Sequence, residues 1–380
     1  MKRTTLKTRL WALAATLLLL ISLLALPVSA VNGGTTTFNK YLILNENAHV
    51  PDAEFTFTIT PGDAVPANPE TKMPAIYAGI GQPTVTKAEF TPDDTATTEV
   101  KDNEVTLESG EAFAKKAVTV DFSSVNFTAP GIYRYTITEN DPTSQSGVAI
   151  KGNSTRTLDV YVEYTDDNAT TLAVTHYVLQ DGTANPNTAT KSKGFTNTYT
   201  TYDLTLTKDV TGNQGNRDKY FRFEVTIANA VAGTKYTVTV PTGLTADDLE
   251  DGDQLDEVNK TELEATGGSV TAVYYLKDGD SITIQGLTPA TTYAISEEDI
   301  YAADGYTTEY EIDSNGKQTA NSFTAQTMGA SSHTVTFTNT KNGSVPTGIL
   351  LETAPYLILG AVVVAGLVVL FATRRRRTRE

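Results

Sequence analysis

The stretch Leu204-Thr205-Leu206-Thr207-Lys208-Asp209-Val210 alternates apolar and polar residues as a half-buried strand does, except that Lys208 stands in the apolar row. Side chains two residues apart on a strand share one face, so Leu204, Leu206 and Val210 predict that Lys208 points into a core. An unpaired buried charge costs on the order of several kcal/mol. The position therefore suggests a chemical reason for keeping this lysine inside.

The same exception recurs in a fixed order of Lys, Glu and Asn, which the chain contains twice. The first set is Lys40, Glu139 and Asn197, and the second set is Lys208, Glu297 and Asn339. Each residue shares its row with apolar neighbours, as Lys40 does with Phe38 and Leu42. The repeated order indicates one common chemistry in two places.

Most of the chain between its ends reads as short alternating strands rich in Thr, Val, Tyr and Phe, separated by turn residues. This pattern predicts an all-β fold of two tandem β-sandwiches. Each unit has a lysine strand, a Phe-x-Phe strand, a Tyr-x-Ile-x-Glu strand and a closing Phe-Thr-Asn-Thr. We therefore predict an N-terminal domain over residues 31–202 and a C-terminal domain over residues 203–341.

The two ends of the chain carry targeting signals. Residues 1–30 combine a basic start, an apolar run and the small-residue site Val28-Ser29-Ala30, which predicts a secretory signal peptide. Residues 355–373 are almost wholly apolar and precede the arginine-rich tail 374–380, which predicts a transmembrane helix with a basic cytoplasmic end. The part between these signals is expected outside the cell.

Composition argues against several classes of partner and site. The formal net charge is −16, so nucleic acid is not an expected partner, because phosphate contacts need basic surface. The chain has no cysteine, so a covalent brace would have to be something other than a disulfide. His49, His176 and His333 lack metal-ligand spacing, and we expect neither a metal nor another cofactor. No constellation typical of a turnover enzyme stands out.

Buried Lys, Glu and Asn can react with one another. A lysine amine attacks a carboxamide only when neutral, and burial favours that form by lowering its pKa. Burial raises the pKa of a glutamic acid, which can then polarise the amide and pass protons as ammonia leaves. The product would be a Lys-Asn isopeptide bond between the first and last strands of a unit. The alternative is that Lys and Glu form ordinary buried ion pairs, or extend to strand ends, and that Asn begins a turn.

Several segments carry a resemblance to a known family: TFNKYL (37–42), IYRYTITE (132–139), GFTNT (194–198), LTLTKDV (204–210), TYAISE (292–297) and TFTNT (336–340). With them the chain resembles the major backbone pilins of the streptococcal T-antigen type and, more broadly, CnaB-type domains of Gram-positive surface proteins. The resemblance implies Ig-like sandwiches of reversed topology. It also implies the bonds Lys40–Asn197 and Lys208–Asn339, with Glu139 and Glu297 handling the protons.

Residues 342–354 hold a second recognisable motif and a spacer. Ser344-Val345-Pro346-Thr347-Gly348, with the apolar segment and arginine tail behind it, resembles a cell-wall sorting signal of the VPTG variety. The resemblance implies that a pilin-class sortase attacks the carbonyl of Thr347 and releases the chain from Gly348 onward. The alternative is a loop beside a permanent membrane anchor.

Together these features predict a structural protein, the shaft subunit of a covalent pilus anchored to the cell wall of a Gram-positive cell. Expected partners are a pilin-class sortase, identical subunits joined head to tail, minor pilins at tip and base, peptidoglycan, and the membrane before sorting. The acceptor lysine is expected in the loop 181–194, where Lys191 and Lys193 are the candidates. The alternative function is a wall-anchored adhesin or minor pilin that binds host ligands.

Overall fold

A computed structural model describes residues 30–70, 72–140, 150–151, 155–181, 189–343 and 358–371. The strands of the first half are β1 (Val31–Asn32), β2 (Thr35–Asn45), β3 (Ala53–Phe55), β4 (Phe57–Pro61), β5 (Ile76–Ala78), β6 (Thr84–Val85), β7 (Ala88–Phe90), β8 (Glu111–Asp121), β9 (Asn126–Phe127), β10 (Gly131–Glu139), β11 (Ile150–Lys151), β12 (Thr155–Tyr164), β13 (Leu172–Asp181) and β14 (Gly194–Tyr199). Those of the second half are β15 (Tyr202–Thr211), β16 (Phe221–Ala228), β17 (Lys235–Thr239), β18 (Glu262–Glu264), β19 (Val270–Leu276), β20 (Ser281–Leu287), β21 (Thr292–Glu297), β22 (Thr307–Ile312), β23 (Gln326–Thr327) and β24 (His333–Thr340). Short 3₁₀ helices span Ala246–Asp248 and Asp299–Ala302.

The main body of each half is two facing sheets, and the first half adds the two-stranded sheets β1-β9 and β3-β7. In the first half the strand order β13-β12-β10-β4, with β5 added beside β10, faces the order β11-β14-β2-β8-β6. In the second half β19-β16-β21-β23 faces β18-β17-β20-β15-β24-β22. The predicted all-β fold of two sandwiches is therefore confirmed.

A separate apolar core fills each sandwich. The first core packs Leu42 of β2 against the facing sheet, which contributes Tyr135 of β10. The second core joins Leu206 of β15 to Val225 of β16 in the same way. Fully burying a side chain of this size stabilises the fold by about 2 kcal/mol. The inward rows of the alternating strands are thus the main source of stability.

The first long strand and the last strand of each half lie side by side. β2 pairs in parallel with β14, with Lys40 opposite Phe195. β15 pairs in parallel with β24, with Lys208 opposite Phe337. Parallel neighbours cannot be joined by a tight turn, so the rest of each sandwich forms the connection between them. A bond between these two strands would close the whole domain.

Residues 358–371 form helix α1, which lies inside the segment 355–373 predicted to cross the membrane. Among the residues that the structure describes, no helix is long and apolar enough for a membrane crossing. The residues that flank α1, and residues 1–29 of the predicted signal peptide, lie outside the described ranges. Both targeting assignments therefore stay predictions.

Gly194 lets β14 lie close against β2. A Cβ at this position would stand 1.7 Å from the carbonyl oxygen of Asn39, at a φ of +153°. Gly194→Ala should therefore destabilise the first sandwich by about 3 kcal/mol or more and lower its melting temperature by roughly 10 °C. Gly34→Ala is the control, since a Cβ there meets only the Tyr177 hydroxyl, at 3.5 Å. Equal melting of the two variants in a calorimeter would contradict this role of Gly194.

Candidate crosslinking sites

The first site lies on the parallel pair β2–β14. Lys40 is on β2, Asn197 is on β14, and Glu139 ends β10 in the facing sheet. Lys40 Nζ donates a hydrogen bond to Asn197 Oδ1 at 2.6 Å and lies 3.1 Å from Glu139 Oε1. None of the three residues is more than 1% exposed. The structure thus brings the first predicted set together in the buried core.

The second site repeats this placement with different contacts. Lys208 on β15, Asn339 on β24 and Glu297 at the end of β21 are all buried. Asn339 Nδ2 donates to Glu297 Oε1 at 2.5 Å. Lys208 Nζ donates to the backbone carbonyls of Asp209 at 2.8 Å and Phe337 at 3.4 Å. In this site the Glu297 carboxyl group binds the Asn339 amide, while the Lys208 amine contacts backbone carbonyls.

An aromatic ring lies beside the amine in both sites. Lys40 Nζ is 4.3 Å from the centre of the Phe55 ring, and Lys208 Nζ is 4.4 Å from that of Phe221. A cation over an aromatic face is stabilised by the ring quadrupole, which offsets part of the cost of burying a charged lysine. The first phenylalanine of each Phe-x-Phe sequence therefore belongs to the site, although in the first half this sequence is divided between β3 and β4 and is not the single strand that was predicted.

Two oxygens of the second site have no hydrogen-bond partner among the described residues. They are Asn339 Oδ1 and Glu297 Oε2, and both are buried. Leaving such an atom unsatisfied costs about 1–3 kcal/mol. A proton on Glu297 Oε2, directed at Asn339 Oδ1, would satisfy both atoms and polarise the amide carbonyl. The geometry thus favours the acid form of Glu297.

Burial shifts the pKa values toward the reactive protonation states. It lowers the pKa of Lys40 and of Lys208 to about 8, and the nearby glutamate only partly opposes this shift. It raises the pKa of Glu297 to about 7 and also raises the pKa of Glu139. At pH 7 a lysine of pKa 8 is neutral about one time in ten, against roughly one in 3,000 for an exposed lysine. Burial therefore favours a neutral amine and a protonated carboxyl group in both sites.

Arg156 is a neighbour of the first site that was not predicted from the sequence. Its positive charge lowers the pKa of both Lys40 and Glu139. The alternation along β12 could have indicated that Arg156 points toward the core, because it is in the same row as Leu158 and Val160, which are buried there. The charge on Arg156 favours the neutral amine but opposes protonation of the glutamate.

Of the remaining predicted residues, the structure describes the two candidate acceptor lysines but not the sorting motif. Lys191 and Lys193 are both exposed just before β14, and the amine of Lys193 donates to the backbone carbonyl of Asp102. The sorting residues 345–348 lie outside the described ranges. Within those ranges no group of histidine and acidic side chains could hold a metal ion.

Comparison with known proteins identifies the family. The chain is 30% identical over 347 residues to a protein named pilin from Streptococcus pyogenes serotype M1, and the match covers 89% of this chain and 90% of that relative. This chain belongs to the pilin family. Residues 37–200 match a family described as Spy0128-like isopeptide containing domain, and residues 202–341 match a domain of unknown function.

A solved structure and a second sequence relative support the same assignment. The major pilin from Streptococcus pyogenes matches this pilin with a TM-score of 0.53 and 26% identity, over 82% of this chain and 100% of that one. The pilus tip adhesin Cpa of Streptococcus pyogenes is 30% identical over 152 residues, which are 40% of this chain and 18% of the adhesin. This pilin is a homologue of the streptococcal major pilin, the subunit of a pilus shaft, and the predicted family is confirmed.

The second site predicts an unusual pH dependence when the bond cannot form. In an Asn339→Ala variant, Lys208 has no amide to attack and titrates beside Glu297. Above pH 8 the folded Lys208 is neutral while an unfolded lysine keeps its proton to about 10.5, so stability rises with pH. Below pH 7 the folded Glu297 holds a proton that an unfolded glutamate releases down to about 4.5, so stability rises as pH falls.

The contribution of these two groups to the unfolding free energy of this variant should therefore be lowest between pH 7 and pH 8. The reference is the triple variant Lys208→Met, Glu297→Gln, Asn339→Ala, which lacks both titrating groups. Urea unfolding of the two proteins across the pH range gives the difference, with slopes approaching about 1.4 kcal/mol per pH unit on either side. A difference that does not change with pH would show that these groups are not buried as described.

Proposed function

We propose that this pilin is the shaft subunit of a sortase-assembled pilus and that an intramolecular Lys-Asn isopeptide bond closes each of its two domains, residues 31–202 and 203–341. The observation that carries the proposal is the 2.6 Å contact between Lys40 Nζ and Asn197 Oδ1 beside a buried carboxyl group. Each bond forms once, without turnover, so the chain is a structural protein and not an enzyme.

The reaction in the first domain needs only groups of the chain. The neutral Lys40 Nζ attacks Asn197 Cγ, while Glu139 in its acid form donates a hydrogen bond to the amide oxygen. Glu139 then carries a proton from Nζ to Nδ2. The Cγ–Nδ2 bond breaks, ammonia leaves and the Cγ–Nζ amide remains. In the second domain Lys208, Glu297 and Asn339 take the same roles, after Lys208 Nζ turns from the Phe337 carbonyl to Asn339.

Closure of a domain in this way restricts its unfolded chain. The first bond ties residues 157 positions apart. By analogy with a disulfide that closes a loop of this size, each bond should stabilise its domain by about 5 kcal/mol. The bonded strands are parallel neighbours in one sheet, so a pull applied along them meets a covalent link.

Assembly follows from the two ends and the exposed lysines. We infer that the signal peptide directs secretion, that the hydrophobic end holds the chain in the membrane, and that a sortase joins Thr347 to a lysine of the next subunit. Lys191 is the better acceptor, because the amine of Lys193 donates to the Asp102 carbonyl. We also propose that minor pilins occupy the tip and base of the pilus and that a final link joins it to peptidoglycan. The adhesin alternative has support from the likeness to Cpa, over 18% of that protein.

Removing the second bond should loosen the second domain. Lys208→Ala and Asn339→Ala should each lower its melting temperature by roughly 10–20 °C and open it to trypsin, because about 5 kcal/mol of loop closure is lost. The exposed Lys260, whose amine donates to the Asp256 carbonyl, provides the control Lys260→Ala. Melting and digestion unchanged from wild type in both bond-deleting variants would argue against the crosslink.

Polymerisation tests the shaft assignment. Expressed with its sortase, the wild-type chain should give a ladder of species that survives boiling in detergent. The double variant Lys191→Ala, Lys193→Ala should give none, because both candidate amines are gone. Lys101→Ala removes a nearby exposed lysine and should leave the ladder intact. An unchanged ladder from the double variant would mean that another lysine accepts the join.

A further inference from the structure

The described chain continues past β24 and stays attached to the domain. Lys341 N donates to the Thr211 carbonyl at 3.1 Å, and Gln214 N donates to the Lys341 carbonyl at 3.0 Å. The hydroxyls of Thr211 and Thr340 lie 2.7 Å apart. The loop that follows β15 therefore extends the contact between β15 and β24 beyond the end of the sheet.

Asn213 completes this attachment with both ends of its side-chain amide. Nδ2 donates to the Gly343 carbonyl at 3.0 Å, and Oδ1 accepts from Gly343 N at 2.7 Å. Two hydrogen bonds to one residue fix both its position and its orientation. Gly212 allows the approach, since it has a φ of +89° and a Cβ there would stand 2.2 Å from the Lys341 carbonyl oxygen.

We propose that Asn213 is a positioning residue for the join between subunits, which it serves by clamping Gly343 to the end of the second domain. The inference rests on the proposed sortase-made join at Thr347. Thr347 is four residues beyond Gly343, so the free connector can span about 14 Å at full extension. Without the clamp the free connector would begin at Lys341, which Thr211 and Gln214 still hold through backbone hydrogen bonds, and could span about 21 Å. The clamp thus shortens the chain between the last attached residue and the join by about a third.

The clamp also shields a reactive sequence. In an Asn-Gly pair the glycine nitrogen can attack the asparagine Cγ and expel ammonia, and water then opens the resulting ring to aspartate or isoaspartate. For Asn342-Gly343 this attack requires the Gly343 nitrogen to lose its proton and turn to the Asn342 side chain. The Gly343 N–H is instead directed at Asn213 Oδ1. The clamp therefore protects backbone that carries tension in the proposed shaft.

The test compares Asn213→Ala with Asn216→Ala in the full chain produced with its sortase. Asn216 lies in the same loop, but its side-chain oxygen accepts a hydrogen bond from Asp218 N instead of holding the tail. In unpolymerised protein, Asn213→Ala should raise amide hydrogen exchange at Gly343 about tenfold and increase isoaspartate at residue 342. Asn216→Ala should match wild type in both. Asn213→Asp keeps the acceptor but loses the donor and should give an intermediate exchange rate.

Purified pili provide the second readout. Shafts built from Asn213→Ala should bend more than wild-type shafts in electron micrographs, measured as a shorter persistence length. Unchanged exchange at Gly343 would overturn the clamp, and faster exchange with unchanged bending would overturn its role in the joint. If the wild-type chain formed no pili, the proposed function would fail, and so would the role in the joint. The exchange and isoaspartate measurements would still decide whether the clamp exists.

Discussion

The lysine amine buried between two parallel strands is the constraint on which each domain depends. Parallel neighbours are distant in sequence, so the long connection between Lys40 and Asn197 has to bring β2 and β14 together before the two side chains meet. Until they react, the core contains a desolvated amine and a desolvated carboxyl group, and Phe55 offsets only part of that cost. The proposed bond would remove the amine charge and turn a costly polar cluster into a covalent closure. The proposed reaction would therefore both require the fold and secure it.

The proposed acceptor position sets the route of tension through the shaft. A join at Lys191 would pull on the chain just before β14, and the pull would continue through β14 into β15 and cross to β24 through the Lys208–Asn339 bond. Most of both sandwiches would then lie outside this covalent route. In the first domain the bond between Lys40 and Asn197 would keep β14 from being drawn out of its sheet. The two proposed bonds would thus have different mechanical roles although their chemistry would be the same.

How far the sequence predicts this structure depends on how local each feature is. Alternation within a strand is local, so the row containing Lys208 and the two-sandwich fold could be predicted. Arg156 lies in a row that could be read in the same way, yet its effect on Lys40 depends on how two sheets face each other. Whether Lys208 contacts the Phe337 carbonyl or the Asn339 amide depends on packing across strands 129 residues apart. The clamp joins Asn213 to Gly343, 130 residues later, and no periodic pattern indicates it.

The most direct test of the two proposed crosslinks is the intact mass of folded residues 31–343. Each isopeptide bond releases one ammonia, so we expect a mass below that of the sequence by two ammonia molecules. Glu139→Ala should prevent the first bond but not the second, because the two cores are separate. The mass of this variant should therefore be lower than that of its sequence by only one ammonia molecule. Fragment spectra should then link Lys208 to Asn339 alone. An unmodified mass from protein with native circular dichroism would contradict the account.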